Sequence, residues 1–320
     1  MSEIPVARQN HLRRILARAA WIAWVCGMIV TALGFTAPWI PAFDLINEVR
    51  PLGALAAIAL VIVVALLREG RLLRPTISLA LLQVGLLLLP WARAGDTAPS
   101  LPPALRLVTF DLGADNSRFD DIADFLLNAH ADVVLLQQVS CSAVERLIPK
   151  LRLAFPSTLV EASSCSGQAL MSKRPWVAGG QITTRTRRPL VVWARLQLAN
   201  RTFVLSGVHL SGPLTPNEQA SDIARLQAHL ESQGAAHIVA GDLHLTPFAW
   251  KFAQLQNAGL GQFLTYIATS APSWPAFWPF PAVTTDNVLS TQGFARVSIT
   301  TGPPLGSNHR PLIADIAFLK

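Results

Sequence analysis

The sequence predicts an α/β sandwich domain preceded by three transmembrane helices. The chain of 320 residues is 51% hydrophobic and has a mean hydropathy of +0.39, which is more apolar than one ordinary soluble domain. The apolar excess is concentrated in the first 94 residues. The remaining residues alternate strand-like and helix-like patterns, as in domains whose helices pack on sheets.

Three apolar segments form the predicted membrane anchor, at residues 1–94. Residues 19–36, 52–67 and 77–91 each approach the length that crosses about 30 Å of hydrocarbon. The second and third segments are short, so we expect the three helices to pack closely. A cleavage pattern of small residues does not follow the first segment, which favours a retained helix over a cleaved signal.

Basic residues predict the orientation of this anchor. Four arginines precede the first segment and three separate the second from the third, whereas the intervening loop holds only Arg50 beside Asp44 and Glu48. The positive-inside rule therefore places the N-terminus in the cytoplasm and, after three crossings, the distal domain outside it. We expect a multi-pass protein anchored in a lipid bilayer, with a bacterial inner membrane and a periplasmic domain as the specific expectation.

Residues 95–103 form a predicted linker, because they contain Gly, Asp, Thr, Ser and three prolines. The domain that follows covers residues 104–320. Residues 1–94 carry a net charge of +5 and residues 95–320 only +2, out of the total of +7. The basic excess is therefore mostly a topology signal, and nucleic acid is not indicated as a partner of the domain.

The cysteines also bear on the compartment. Cys141 and Cys165 are the two cysteines of the distal domain, and an oxidising compartment would permit their pairing. We predict a disulfide between them, with two unpaired buried thiols as the alternative. Cys26 lies inside the first apolar segment and is predicted to be a buried apolar residue.

The first half of the domain predicts strands that alternate with helices. Apolar runs indicate strands, helical spacing indicates a helix that includes Phe119, Ile122 and Leu126, and two glutamines follow the second strand. The predicted strands lie at 105–110, 132–136, 157–160 and 167–172, and a second helix lies at 142–153.

The second half continues with a hairpin, a helix and the central strand. The hairpin covers 190–198 and 201–208, the helix covers 216–233, and the strand at 237–240 ends at Gly241. Thr246 is the predicted cap of a helix that begins at Pro247. Three closing strands are predicted at 285–289, 295–299 and 312–319.

Polar residues recur where these apolar runs end. Asp242 alone could simply cap a turn. A polar residue at the end of a buried strand adds nothing to the strand itself, so its recurrence at several strand ends indicates that these side chains converge. A convergent site at the edge of the sheets is therefore predicted. Its members are Asp111, Gln138, His209, Asp242, His244, Asp286, Asn308 and His309.

Seven segments give the chain a resemblance to a known family. In order along the sequence they are residues 108–111, 132–138, 169–175, 206–210, 239–244, 285–289 and 306–311. They resemble the endonuclease/exonuclease/phosphatase superfamily, which has the DNase-like fold. The resemblance implies a four-layer α/β sandwich and hydrolysis of a phosphate ester assisted by a divalent metal. Mg²⁺ is the ion expected first, with Mn²⁺ or Zn²⁺ as alternatives.

The resemblance also implies roles for individual residues. His209 and His309 would contact the phosphate, Asp286 would orient His309, and Asp242 would position or deprotonate the attacking water. These four are the predicted catalytic residues. The predicted substrate-binding residues are His244 and Asn308, and the predicted metal-binding residues are Asp111 and Gln138.

Four positions depart from the family pattern. The family has Asn and a metal-binding Glu where this chain has Asp111 and Gln138, Asn in place of His244, and Asp in place of Asn308. Metal affinity should fall unless Asp111 replaces the missing Glu or His244 recruits a softer ion. Two interpretations remain: a membrane-anchored phosphoesterase with a rearranged metal site, or a catalytically degenerate module that binds or supports other molecules.

Two further features bear on the substrate. Arg185, Arg187 and Arg188 could grip a phosphorylated head group, or could simply form a solvated loop. An aromatic and proline-rich loop could contact a bilayer, or could pack against the domain. Together they suggest a lipid phosphate as a hypothetical substrate. The aromatic residues are Trp274, Phe277, Trp278 and Phe280.

Overall fold

In a computed structural model, the chain forms two compact units. One unit contains residues 1–92 with 248–250, and the other contains residues 93–247 with 251–320. The structure describes residues 6–92, 97–162, 165–185, 187–198, 200–234, 236–256, 265–266, 272–277 and 283–319.

The first unit is helical. Two of its described helices, His11–Phe35 and Gly70–Pro90, are long and apolar enough to cross a membrane. A third span results if the bent pair Pro41–Glu48 and Arg50–Leu66 counts as one. The predicted three-span count depends on that pair, since its second helix has only 17 residues. The helices are α1 (Val6–Phe35), α2 (Asp44–Glu48), α3 (Arg50–Leu66) and α4 (Gly70–Ala92).

Within this unit, small and polar side chains occupy the contacts between helices. Gln83 donates a 2.7 Å hydrogen bond to Thr31, and both side chains are buried. Such a contact satisfies polar groups that hydrocarbon would leave unpaired. Cys26, which was expected to be buried, is exposed instead, because it lies on a side of α1 where Val25 and Ile29 are also exposed.

The second unit contains two six-stranded sheets among its described residues. The first has the strand order β11-β12-β1-β2-β4-β3, and the second has the order β5-β6-β7-β8-β10-β9. The strands are β1 (Leu105–Asp111), β2 (Val133–Val139), β3 (Ser157–Glu161), β4 (Gly167–Ser172), β5 (Ala178–Thr183), β6 (Pro189–Leu198), β7 (Arg201–His209), β8 (Ala236–Asp242), β9 (Thr265–Tyr266), β10 (Asp286–Ser290), β11 (Phe294–Thr301) and β12 (Leu312–Phe318).

The two sheets face each other, and helices cover their outer faces. The faces approach closely where a Cβ added to Gly207 of β7 would lie 2.9 Å from Leu135 of β2. Phe119 and Ile122 pack with Phe110 on the outer face of the first sheet. This confirms the predicted α/β sandwich. The helices are α5 (Phe119–Asn128), α6 (Cys141–Arg146), α7 (Ile148–Leu151), α8 (Pro216–Gln233) and α9 (Trp250–Gln256).

Three local predictions need correction. The helix expected from Pro247 begins at Trp250, because buried Leu245 and Thr246 first carry the chain through the core. The helix expected at 142–153 is two short helices, with Pro149 at the start of the second. Strand β5 was not predicted, since paired glycines disfavour strands.

A disulfide joins Cys141, at the start of α6, to Cys165, just before β4. The two Cα atoms are 4.6 Å apart, and the closed loop spans 24 residues of sequence. This confirms the predicted pairing.

Candidate active site

Three of the predicted site residues lie side by side in the second sheet. His209 is the register partner of Asp242 across the parallel strands β7 and β8. Asp242 is in turn the partner of Asp286 across the antiparallel strands β8 and β10. The ends of three adjacent strands therefore bring an imidazole and two carboxylates into one row.

Gly241 allows the chain to place Asp242 at the end of this row. Its φ of +144° is unfavourable for other residues, and an added Cβ would lie 1.9 Å from the carbonyl oxygen of Val208. Beyond it, Oδ1 of Asp242 accepts a 2.9 Å hydrogen bond from the backbone N–H of His244. The Asp242 side chain is thus oriented by the backbone on both sides, and the residue is fully buried.

His309 is held by Asp286. Nδ1 of His309 lies 2.8 Å from Oδ2 of Asp286, and Nε2 lies 3.7 Å from Oδ2 of Asp242. Burial alone would lower the pKa of His309, but the carboxylates of Asp286 and Asp242 outweigh it and raise the pKa to about 10. His309 is therefore a cation at neutral pH.

His209 is held by an arginine. Nη1 of Arg188 lies 3.2 Å from Nδ1 of His209 and donates to the His209 carbonyl at 3.0 Å. Since a guanidinium has no acceptor, Nδ1 must carry the lone pair and a neutral His209 carries its proton on Nε2. Burial lowers the pKa of His209 well below its usual value, and neighbouring positive charge, including that of Arg188, lowers it further.

Arg188 is fixed in turn by α8 and the loop before it. Its Nη2 donates to Ser211 at 3.2 Å and to Asp222 at 3.4 Å, and Asp222 also accepts from the Ser211 hydroxyl. The predicted arginine cluster thus separates: Arg188 belongs to the site, while Arg185 and Arg187 are exposed. A cavity of about 270 Å³ lies beside this network and includes Arg185 in its lining.

His244 has the opposite tautomer. Its Nδ1 lies 2.9 Å from the carbonyl oxygen of Leu210, which can only accept, so Nδ1 carries the proton. The rings of His244 and His209 are 5.2 Å apart between their centroids. One ring therefore presents an N–H donor to the site, and the other presents a lone pair when it is neutral.

Asp111 and Gln138 form a pair in the first sheet. Oε1 of Gln138 accepts from the backbone N–H of Ala114, and its Nε2 donates a 3.0 Å hydrogen bond to Oδ2 of Asp111. Burial raises the pKa of Asp111 to about 6; His309 lowers it, while Asp242 and Asp286 raise it. Oδ2 of Asp111 also lies 3.7 Å from Nε2 of His209, which links the two sheets.

Gln138 reaches Asp111 through a bulge in β2. The register with β4 shifts between Gln137 and Val139, and Gln138 has a positive φ of 51°. A bulge inserts one extra residue and redirects its side chain. The strand predicted from the sequence ended near residue 136, so the sequence did not predict the bulge.

The remaining predicted residues lie at the rim. Asn308 is exposed, and its backbone carbonyl accepts from Ala276. Trp274 and Phe277 are 41% and 75% exposed. Trp278 and Phe280 lie outside the described residues.

The sequence also missed supporting residues. Ser307 donates a 2.7 Å hydrogen bond to the carbonyl of Asp111 and accepts from the backbone N–H of His309. Ser273 accepts from the backbone N–H of Asp286. Ser307 lies within the family-like segment 306–311, whereas nothing in the sequence distinguishes Ser273.

The donor set fits a divalent metal. Two groups of three side chains could each hold an ion, and Asp242 belongs to both. Among the described residues, Oδ2 of Asp242 and Oδ1 of Asp286 are buried without a hydrogen-bond donor. Buried anionic oxygens without partners are costly, and a cation would satisfy them. The amide of Gln138, by contrast, is hydrogen bonded at both its oxygen, by Ala114, and its nitrogen, to Asp111.

A sequence model of the Endonuclease/Exonuclease/phosphatase family matches residues 108–309. A search of curated proteins finds no match. Solved structures with the same fold include an endonuclease/exonuclease/phosphatase from Bacteroides vulgatus, which is 13% identical with a TM-score of 0.57 and covers 67% of this chain and 99% of its own.

Two other similar structures contain bound ligands. The human nocturnin catalytic domain with bound sulfate is 19% identical, with a TM-score of 0.54 and coverage of 68% of this chain and 96% of its own. D. rerio TDP2 complexed with a single-strand DNA product is 16% identical, with a TM-score of 0.54 and coverage of 67% and 98%. At these identities the likeness establishes the fold alone.

Proposed function

Because the chain belongs to the endonuclease/exonuclease/phosphatase family, we propose that it is a divalent-metal-dependent hydrolase of a phosphate ester. The supporting observation is the convergence of His209, Asp242, Asp286 and His309 at one sheet edge, with His309 held by Asp286 at 2.8 Å. A site that had lost its function would have no need to retain this buried charged pair, whose desolvation is costly.

The four residues divide the work. The His309 cation would bind the anionic oxygens of the phosphate, and the N–H of His209 would donate to another phosphate oxygen. Asp242 would position the attacking water or accept its proton as the water oxygen bonds to phosphorus and the ester P–O bond breaks, and the leaving oxygen would take a proton from solvent. Asp242, which belongs to both candidate metal groups, would hold a divalent metal that would offset the negative charge of the phosphate.

Hydrolysis of bis-p-nitrophenyl phosphate and p-nitrophenyl phosphate tests this function. The full chain in detergent would be assayed with Mg²⁺, Mn²⁺ and Zn²⁺ in turn. We expect turnover that falls at least about 100-fold in His309→Ala. The exposed residue His130 provides a matched control, since His130→Ala should retain full activity.

The bonded amide of Gln138 favours the second candidate, a degenerate module that binds without catalysis. Absence of turnover with every metal would support it and would exclude the hydrolase. Turnover that persists in His309→Ala would also count against the proposed mechanism.

We further propose that the domain lies outside the cytoplasm, anchored by its N-terminal helices in a bilayer. The distribution of arginines and the Cys141–Cys165 disulfide support this side of the membrane. A C-terminal fusion to a phosphatase that folds only in an oxidising compartment should be active. An inactive C-terminal fusion together with an active N-terminal fusion would contradict this orientation and place the domain in the cytoplasm.

A lipid phosphate is the proposed substrate class. Exposed Phe277 and Trp274 would contact the acyl region while Arg188 and His309 lie near the head group. Phe277→Ser should lower turnover of a phosphorylated lipid in vesicles at least about threefold and leave the soluble ester unchanged. Equal loss on both substrates, or no loss on either, would contradict this class.

A further inference from the structure

We propose that His244 and Asp242 are ligands of a divalent transition metal, with Zn²⁺ preferred over Mg²⁺, and that His209 is not a ligand. The inference rests on the proposed metal-dependent hydrolysis, and it deepens it by assigning the ion class and the residues that select it. It also moves the ion away from Gln138, the position that resembles the metal-binding Glu of the family.

The first step is the tautomer of His244. The carbonyl of Leu210 accepts from Nδ1, so the lone pair of neutral His244 resides on Nε2. Metal-ligating histidines usually donate their other N–H to a carbonyl or carboxylate, which fixes the ring and raises its basicity. His244 has this arrangement, and its side chain remains partly accessible from solvent.

The second step is the position of Asp242. Its Oδ2 lies only 3.0 Å from Nε2 of His244, yet it forms no hydrogen bond with any described donor. The axis of Nε2 therefore does not point at this oxygen, although the two atoms nearly touch. Two ligands of one metal have this relationship, because their lone pairs converge on a third point rather than on each other.

The third step excludes His209. One of its ring nitrogens lies within 4.8 Å of ligand atoms of the other two residues, but Arg188 donates to Nδ1, so the proton of neutral His209 lies on Nε2. A protonated ring nitrogen cannot bind a metal. Although the two imidazoles are neighbours, the partners of their Nδ1 atoms give them different roles.

The charge of the site calls for a cation. Asp111, Asp242 and Asp286 are fully buried, and Oδ2 of Asp242 and Oδ1 of Asp286 meet no hydrogen-bond donor among the described residues. A cation would satisfy these buried oxygens. An imidazole ligand suits Zn²⁺, whereas Mg²⁺ demands oxygen ligands in near-octahedral geometry.

Binding to the tag-free full chain in detergent tests the inference independently of activity. After removal of metals by a chelator, Zn²⁺ and Mg²⁺ would each be titrated by calorimetry at one pH, and Co²⁺ would report nitrogen ligation through its visible absorption. We expect one Zn²⁺ per chain, bound at least about tenfold more tightly than Mg²⁺.

Two matched variants identify the ligands. His244→Asn should weaken Zn²⁺ binding at least about tenfold and change the Co²⁺ spectrum, while His209→Gln should change the Zn²⁺ affinity less than about threefold. Zn²⁺ binding that survives His244→Asn, or that is lost in His209→Gln, would overturn the assignment. So would the absence of Zn²⁺ binding.

The outcomes for the ion and for the reaction are separable. Zn²⁺ binding that depends on His244, without turnover of either nitrophenyl ester, would support the metal site and reject the hydrolase. Turnover with Mg²⁺ that is unaffected by His244→Asn would support the hydrolase and reject the metal site.

Discussion

Oδ2 of Asp286 lies 2.8 Å from Nδ1 of His309, and both residues are buried at the end of the second sheet. Because Asp286 is also the register partner of Asp242, the strand pairing fixes the two carboxylates relative to each other. His309 lies in the loop before β12, and its contact with Asp286 orients the imidazole toward Asp242.

Replacement of Asp286 by Asn should remove the charge that holds His309 while preserving the size of the side chain. We expect kcat to fall at least about 100-fold, because His309 would lose its orientation and its charge partner. Steady-state kinetics of the purified full chain measure this. Asp315→Asn is the control, since Asp315 is a carboxylate paired with Arg106 away from the site and its loss should leave kcat within about threefold.

Arg188→Met should free the tautomer of His209. We expect kcat to fall roughly tenfold or more, because the Nε2–H donor would no longer be enforced. Nitrogen-15 spectra of histidine-labelled protein should show Nδ1 of His209 unprotonated in the native chain and partly protonated in the variant. Arg187→Met, at an exposed position, should change neither quantity. An unchanged Nδ1 resonance in Arg188→Met would refute the role of the guanidinium.

Asp111 and Gln138 should be energetically coupled. Gln138→Glu would place a second carboxylate where an amide now donates at 3.0 Å, and we expect it to destabilise the metal-free chain by about 1–3 kcal/mol. Adding Asp111→Asn should restore most of that loss, since one donor and one charge would again face each other. Urea unfolding of the two single variants and the double variant in chelator gives the coupling. Strictly additive losses would contradict it.

His229 should make stability depend on pH. It is buried, it lies 3.2 Å from the hydroxyl of Ser206, and burial followed by the charge of His237 lowers its pKa from 6.5 to about 4. As pH falls, the unfolded chain therefore protonates His229 before the folded chain does. The contribution of His229 to the free energy of unfolding is complete above about pH 6.5 and is lost between pH 6.5 and 4.

The variant His229→Gln should flatten this loss by at most about 3 kcal/mol, because one pKa unit corresponds to about 1.4 kcal/mol. The free energy of unfolding at pH 7.5, 6, 5 and 4 measures the difference. His130→Gln, at an exposed position, should leave the native pH dependence unchanged. If both variants behaved alike, His229 would not be the source.

The fold was largely readable from the sequence because its strands are apolar runs that end at polar residues. Leu105–Asp111 and Ala236–Asp242 show this pattern, and helix α8 occupies the predicted residues 216–233. Strand β5 escaped prediction because its Gly179 and Gly180 lack strand propensity, and they leave room for Trp193 of the neighbouring strand.

The sequence also predicted that polar side chains would meet at this sheet edge, but it did not predict how they contact one another. The opposite tautomers of His209 and His244 depend on Arg188 and on the carbonyl of Leu210, whose positions follow from packing. Periodicity records which face a residue occupies, and it contains no information about which ring nitrogen meets a donor. The sequence could therefore predict both imidazoles as site residues, but it could not predict which ring nitrogen each presents to the site.

The bulge in β2 places Gln138, which contacts Asp111, outside the hydrogen-bonded pairing of β2 with β4. Gln168 and Gly167 of β4 are consecutive, while their partners Gln137 and Val139 are not, so Gln138 is supernumerary to the pairing. Deletion of this residue would leave a strand without a bulge and would remove the hydrogen bond from Gln138 to Asp111. Insertion or deletion of this one residue would therefore add or remove the Gln138 side chain while the strand pairing of both sheets stays the same.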